Sequence, residues 1–113
     1  MHELSITEEI LRIVTEHVHK AGATRVTRIN LVIGDLTSFI DDSIQFYFGM
    51  LSPDTPAEGA TLHFERIKTR FRCRHCQTEF EPEGRNWICP ACGALGGDVI
   101  AGKEFYVESI EVV

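Results

Sequence analysis

The 113-residue sequence contains no apolar run long enough to cross a bilayer, and its first residues lack the basic and then apolar pattern of a secretory signal. It also has no Gly-rich phosphate loop followed by Lys and Ser or Thr, and no Ser/His/Asp or Cys/His set with a free nucleophile. These absences argue against a membrane partner, against GTP hydrolysis by this chain and against an enzyme. We therefore expect a soluble, cytoplasmic protein that is not an enzyme.

Basic residues are scarce as well, since 11 Lys and Arg face 17 Asp and Glu and leave a net charge of −6. Nucleic-acid binding draws most of its affinity from basic residues that neutralise phosphates, so we expect no nucleic-acid partner. The basic residues that do cluster recur at every second position, which would place them on one face of a single strand. We interpret this edge as solvated or protein-facing: Arg66, Lys68, Arg70, Arg72 and Arg74.

Cysteine occurs only four times, in two C-x-x-C pairs that are separated by twelve residues. Each pair forms a tight turn that aims both thiolates the same way, so the two pairs can converge on one tetrahedral ion. We predict a structural Zn²⁺ site, which would bring the net charge to about −8. Two disulfides would need an oxidising compartment, and a rubredoxin-like iron site would use the same four thiolates. The predicted ligands are Cys73, Cys76, Cys89 and Cys92.

Two helices are predicted from apolar periodicity and capping residues. Ser5 and Glu8 have the spacing of a capping box, so residues 1–4 should precede the first helix, and Gly22 should end it. The second helix should span Asp42–Leu51, capped by Asp41 or Asp42.

Strands are predicted from alternating apolar residues and β-forming composition at Arg25–Ile33, Thr61–Thr69 and Glu104–Val113. The predicted fold class is α+β: a small mixed β-sheet with two helices on one face and an inserted four-cysteine zinc-ribbon subdomain. The main domain would be discontinuous, formed by residues 1–70 and 103–113. Residues 71–102 would form the zinc-ribbon domain.

The first three residues offer a second, different set of metal ligands. The Met1 amine, the backbone nitrogen of His2 and the His2 imidazole lie in one plane when they chelate an ion, and such a set suits Ni²⁺ or Cu²⁺. Glu3 could fill the fourth position with its backbone nitrogen or its carboxylate. A histidine at position 2 also occurs by chance, so these residues alone leave a metal role open.

Taken together, four features give the chain a resemblance to a known family. They are the opening Met-His-Glu-Leu-Ser of residues 1–5, the Ile-Gly-Asp-Leu-Thr of residues 33–37, the Ala-Glu-Gly-Ala of residues 57–60 and the two C-x-x-C pairs. In this order they cover nearly the whole sequence, which resembles the HypA family of nickel metallochaperones in [NiFe]-hydrogenase maturation. One departure is Gln77, which follows the first cysteine pair where zinc knuckles often have Gly.

The resemblance implies that nickel is carried at Met1, His2 and Glu3, with His2 as the required histidine, and that zinc is structural. It implies a HypB-type GTPase and the hydrogenase large-subunit precursor as partners, and urease as a further recipient in some bacteria. The inserted module would also permit a domain-swapped homodimer. Two other functions remain open: a zinc-ribbon interaction or nucleic-acid-binding module without a transferable metal, and a rubredoxin-like redox protein.

Overall fold

The computed structural model describes residues 2–84 and 86–113, and for His2 it describes the backbone only. Within these residues the chain forms two helices and six strands. In chain order they are α1 (His2–Lys20), β1 (Val26–Gly34), α2 (Asp41–Leu51), β2 (Thr61–Ile67), β3 (Arg70–Arg72), β4 (Glu79–Phe80), β5 (Asp98–Ala101) and β6 (Phe105–Val112).

Helix α1 begins at His2, so the prediction that residues 1–4 precede the helix is wrong, and Ser5 lies inside the helix. Thr7 explains the earlier start. Its side chain is fully buried, and its hydroxyl donates to the carbonyl of Glu3 at 2.6 Å. A helical turn through Glu3 supplies this acceptor four residues back, whereas a non-helical segment would leave a buried hydroxyl without it.

The other end of α1 follows the prediction. Gly22 adopts φ +66°, the left-handed conformation that glycine reaches without a steric penalty. Its N–H donates to the carbonyl of His19, and the N–H of Ala23 donates to the carbonyl of Val18. This pair of bonds is the Schellman motif, which satisfies carbonyls that the helix itself leaves free.

Strands β1, β2 and β6 form one sheet in the order β2-β1-β6. Hydrogen bonds join Val26 to Pro56 at one end of the β1–β2 pair and Asp35 to Ile67 at the other, so these strands run parallel. Strand β6 runs antiparallel to β1, because Arg25 bonds to Val113 while the far end of β1 bonds to Glu104. The sheet is therefore mixed, as predicted.

Helix α2 connects the parallel strands β1 and β2, and it begins one residue earlier than predicted. Its N-cap is Ile40, which makes no side-chain capping bond, so the predicted cap at Asp41 or Asp42 is wrong. Both acidic residues instead lie in the first turn, where negative charge complements the helix dipole. The inward side chains Ile44 and Phe48 are buried, as the apolar periodicity predicts.

The core beneath these elements is aliphatic. Strand β1 is buried at Ile29, Leu31 and Ile33, which were predicted to share one face, while Arg28 and Asn30 are partly exposed. Full burial of such a side chain contributes about 1.5–3 kcal/mol to folding. The helices supply the matching buried side chains Ile10, Leu11, Val14, Val18, Ile44 and Phe48.

The short strands β3, β4 and β5 form a second, antiparallel sheet in the order β4-β3-β5. The predicted strand Thr61–Thr69 ends at Ile67, and β3 begins a new sheet at Arg70. The five alternating basic residues therefore do not share one strand face, because they are divided between β2, a connection, β3 and the turn after it. The predicted single basic edge is wrong.

The chain divides into two compact units. One holds the chain from α1 to Val32, then Ser38–Glu65 and Tyr106–Val113; the other holds Ile33–Thr37 and Arg66–Phe105. The predicted α+β class is confirmed, and the functional domain boundaries stay a prediction. Among the described residues, no helix combines the length and the apolar character that a membrane span requires.

Candidate metal centre

The four cysteines form one cluster in the second unit. Their sulfur atoms all lie within 4.8 Å of one another, and all four are free thiols. The Sγ atoms of Cys73 and Cys92 are 3.6 Å apart, as are those of Cys76 and Cys89. Four sulfurs at about 2.3 Å from a tetrahedral Zn²⁺ would be about 3.8 Å apart, so the cluster fits this ion in donor type and size.

Two turns with the same backbone geometry carry the cysteines, and we call them the first knuckle (Cys73–Thr78) and the second knuckle (Cys89–Ala94). In each, the first cysteine donates its N–H to the last residue of the turn, at 2.9 Å in the first knuckle and 2.8 Å in the second. In each, the residue after the second cysteine returns an N–H to the first cysteine's carbonyl at 2.9 Å. That residue has positive φ in both turns: +66° at Gln77 and +78° at Gly93.

Hydrogen bonds to sulfur prepare the first knuckle to hold thiolates. The Thr78 hydroxyl is 3.2 Å from the sulfur of Cys76, and this contact, with the Thr78 backbone amide, lowers the pKa of Cys76 to about 6. The backbone amide of Cys76 likewise lowers the pKa of Cys73. A metal ligand must lose its proton, so these bonds reduce the competition between protons and metal.

In the second knuckle the last sulfur behaves differently. The largest influence on Cys92 is a hydrogen bond from the Ala94 amide, which favours the thiolate. Burial and the neighbouring sulfurs outweigh it and raise the pKa of Cys92 to about 12. Without a cation, each sulfur that ionises therefore disfavours ionisation of the next.

A small apolar core supports the cluster. Phe71 and Phe80 are cross-strand partners in β3 and β4, and their rings meet edge to face at 5.8 Å. They are buried with Cys73 and Cys89, so one sulfur from each knuckle belongs to this core. Trp87 packs its ring edge to face against Phe71 at 5.7 Å. So few apolar residues give little stability by themselves, which is the usual reason for a metal in a module of this size.

The basic residues around the cluster are paired with acidic ones. Arg72 contacts Glu79 at 3.0 Å across the β3–β4 pair, and Arg74 contacts Asp98 at 2.9 Å. Arg70 lies between Glu79 and Glu81, at 3.8 and 3.3 Å. These pairs are solvent-exposed, so each contributes little to stability. They also neutralise the positive charge that a phosphate backbone would need.

Of the predicted nickel ligands, the structure describes Glu3 and the backbone of His2, both in the first turn of α1. Met1 lies outside the described residues, and the His2 side chain is not described. Glu3 is half-buried, and its carboxylate Oε2 accepts a hydrogen bond from the backbone N–H of Ile40 at 3.3 Å. The structure thus brings the four cysteines together, and it places Glu3 beside the start of α2.

Two features of these sites were missed by reasoning from the sequence. Thr78 was not singled out, although a hydroxyl two residues after a ligating cysteine is a signal for a hydrogen bond to sulfur. The contact between Glu3 and Ile40 joins segments 37 residues apart and has no local signal. Asp41, which follows Ile40, therefore lies close to the start of α1.

The fold and the cluster define a class of protein: a small α+β protein with four clustered cysteines that can hold a metal ion. The chain belongs to the HypA family, since residues 1–112 match the family model described as "Hydrogenase/urease nickel incorporation, metallochaperone, hypA". Members of this family are hydrogenase maturation factors and nickel metallochaperones.

Individual relatives agree with this assignment. The hydrogenase maturation factor HypA of Dehalococcoides mccartyi strain CBDB1 is 50% identical over 113 residues, covering 99% of this chain and 94% of the relative. The HypA of Caldanaerobacter subterraneus subsp. tengcongensis is 42% identical, with 99% of both chains covered. A solution structure of HypA from Helicobacter pylori, titled as a Ni metallochaperone, covers 98% of this chain and 97% of its own with a TM-score of 0.66. Its identity is 21%, so it supports the fold.

Proposed function

We propose that this chain is a nickel metallochaperone that binds Ni²⁺ at Met1, His2 and Glu3 and delivers it for the maturation of [NiFe]-hydrogenase. The observation that carries the proposal is the whole-length family match together with the Met-His-Glu opening. In this proposal residues 1–70 and 103–113 form the nickel domain. Residues 71–102 form the zinc-ribbon domain, in which Cys73, Cys76, Cys89 and Cys92 hold a structural Zn²⁺.

The local geometry supports nitrogen ligands for the cargo. A helix leaves its first N–H groups without intrahelical partners, so a start at His2 leaves the backbone nitrogens of His2 and Glu3 accessible. These nitrogens, the Met1 amine and the His2 imidazole form the planar set that suits Ni²⁺. The Glu3 carboxylate already accepts from Ile40, so Glu3 can contribute its backbone nitrogen while this contact persists.

The two metal sites have different roles in this proposal. Four thiolates, two of them buried, form a closed site that joins the knuckles when zinc is bound. The N-terminal set is formed by one chain end, and an incoming thiolate or imidazole can displace a ligand from an open planar ion. Nickel therefore leaves by ligand substitution, while zinc stays.

The partners follow from this role. The sequence has no phosphate loop, so a HypB-type GTPase supplies the nucleotide-dependent step, and the hydrogenase large-subunit precursor receives the nickel. Urease is a second recipient where the organism makes it. A homodimer formed by exchange of the inserted module is compatible with the discontinuous domain.

The test is a Ni²⁺ titration of zinc-loaded, untagged protein. It compares the wild type with His2→Ala and with a version that carries one additional residue before Met1. His19→Ala is the matched control, because His19 is an exposed histidine on the same helix. We expect both N-terminal changes to reduce nickel affinity at least about tenfold and the control to leave it unchanged. Equal nickel binding by all four proteins, with zinc retained, would exclude the N-terminal site.

Nickel affinity should also depend on pH. The imidazole and the backbone nitrogens must lose protons before they bind, so affinity should fall as pH drops through about 6.5, the ordinary pKa of histidine. The same titration between about pH 7.5 and pH 5.5 measures this dependence. A flat profile would contradict imidazole coordination.

A further inference from the structure

Helix α2 presents an apolar surface to solvent on the side opposite its core contacts. Phe46 and Met50, one turn apart, are 63% and 60% exposed, whereas Ile44 and Phe48 on the other side are buried. At 100° per residue, Asp42 and Gly49 lie on the same side as this pair. We call these four residues the α2 outer face: Asp42, Phe46, Gly49 and Met50.

No packing contact within the part of the chain that the structure describes explains Gly49. A Cβ added at this position would meet nothing within 4 Å, and the residue is not at positive φ. A helix with glycine in its interior is less stable than one with alanine there, so Gly49 lowers the stability of α2, and no contact at this position offsets that loss. What it provides is a shallow notch beside Phe46 and Met50, where a neighbouring backbone can approach closely.

The sequence on both sides of this helix is acidic. Residues 29–65 contain six Asp and Glu and no Lys or Arg. Asp42 lies in the first turn of α2, Asp54 follows its last turn and is exposed, and the last turn carries no basic residue. The negative end of the helix dipole therefore has no cation from α2 itself, although cations are favoured there.

We propose that the α2 outer face is the docking site for a basic amphipathic helix of a partner protein. The apolar side of that helix would cover Phe46 and Met50, with a side chain seated over Gly49. Its Lys and Arg residues would lie near Asp42 and Asp54. Such pairing of an apolar stripe with a charged rim is the usual mode of helix recognition.

Charge distinguishes this partner from a second copy of the chain. The unit that contains α2 has eleven Asp and Glu against four Lys and Arg. Two such units brought together through α2 would place like charges around the contact, which disfavours association. A basic helix gains from the same charges. The docking site is independent of nickel, so it can be tested separately from the nickel proposal.

The probe is a synthetic helical peptide of about 18 residues with leucine at the apolar positions and lysine at the others. Its matched control has glutamate in place of every lysine. Binding is measured by fluorescence anisotropy and mapped by amide chemical shifts of ¹⁵N-labelled, zinc-loaded protein. We expect the lysine peptide to bind at least about tenfold more tightly than the glutamate peptide, more weakly at high salt, with shifts concentrated in residues 42–54.

Two variants test the face itself. The double substitution Phe46→Ser with Met50→Ser removes the apolar contact and should weaken binding at least about tenfold. Gly49→Gln fills the notch and should weaken binding to a similar extent, while the helix becomes no less stable, because the site has open space. Tyr106→Ser, which removes an exposed aromatic ring from β6, is the control and should bind as the wild type does.

Several results would overturn the proposal. Binding that survives both variants, shifts that map outside α2 and its flanks, equal affinity for the two peptides, or no binding up to about 1 mM would each do so. Sedimentation that shows a wild-type dimer, dissociated by the double substitution, would assign the face to contact between copies instead. Nickel titrations of the same variants should be unchanged, so failure of docking and failure of the nickel site are distinguishable.

Discussion

The two cysteine knuckles have the same backbone with different side chains. Both place the first cysteine in the core and use an N–H from a residue at positive φ to close the turn. The first knuckle has Gln77 at this position and the exposed, charged Arg74 and the exposed His75 between its cysteines. The second has Gly93 there, and Pro90 and Ala91 between its cysteines. The placement of the four sulfurs thus depends on the turns and the cysteines, and the remaining positions are free to differ.

The two knuckles also differ in the conformational energy of the residue at positive φ. A side chain at positive φ costs about 1–2 kcal/mol, which Gln77 incurs and Gly93 avoids. The Gln77 amide nitrogen offsets part of this by donating to the carbonyl of Arg74 at 3.3 Å. The knuckles also differ at sulfur, since the Thr78 hydroxyl favours the thiolate of Cys76 and the matching Ala94 has no hydroxyl. Three sets of substitutions can test this comparison.

The largest effect should come from removing one buried sulfur from either knuckle. Zinc binding in small modules contributes about 10–16 kcal/mol over four ligands, so losing one should weaken zinc at least about a hundredfold. We expect Cys73→Ala and Cys89→Ala to do this equally and to unfold the second unit. Zinc competition with a chromogenic chelator measures the affinity, and the Trp87 fluorescence reports the fold. A large difference between the two variants would show that the knuckles are not equivalent.

Exchanging the residues at positive φ should have a smaller effect with opposite signs. Gly93→Ala should lower the free energy of unfolding by about 1–2 kcal/mol, although the site has space for the methyl group, because φ is unfavourable. Gln77→Gly should raise it by less than about 1 kcal/mol, since glycine gains entropy in the unfolded chain and the bond to Arg74 is lost. Urea unfolding of zinc-loaded protein measures both. Changes of the same sign would contradict the steric explanation.

The smallest effect should come from Thr78→Ala, which gives the first knuckle the residue found in the second. The Cys76 pKa of about 6 lies below the ordinary thiol value, so protons compete with metal there only as pH falls through about 6. Loss of the hydroxyl raises this pKa, so zinc should be released at higher pH, by less than about one unit. Zinc release on acidification is the measurement. Thr55→Ala, outside the second unit, is the control and should not shift the midpoint.

The sequence was sufficient for the cysteine module because its chemistry is local. Spacing within each pair determines the turn, and four thiols in one short segment have few other uses. Apolar periodicity likewise predicted which sides of α1 and α2 are buried, as the burial of Ile44 and Phe48 shows.

Errors arose where a local signal competed with burial or with pairing to a distant part of the chain. The Ser5 and Glu8 spacing resembles a helix start, but the buried Thr7 hydroxyl takes its acceptor from a turn that begins earlier. Asp41 resembles a cap, but α2 starts at the carbonyl of Ile40, which accepts from the N–H groups of Ser43 and Ile44. The N–H of Ile40 donates to the distant Glu3 carboxylate. The strand expected to continue through Thr69 ends at Ile67, because the next strand pairs in another sheet. Pairing and burial of this kind are properties of the folded chain.

If nickel binds at the N-terminal segment as proposed, the hydrogen bond from Ile40 to Glu3 would report how it is coordinated. The amide of Ile40 donates to a carboxylate, so its hydrogen exchange depends on where that carboxylate is. If nickel draws the Glu3 side chain away, the amide becomes open to water and exchanges faster. If nickel uses only nitrogens, the exchange rate of this amide stays unchanged. A single amide at residue 40 would then distinguish the two modes of coordination in the native, untagged protein.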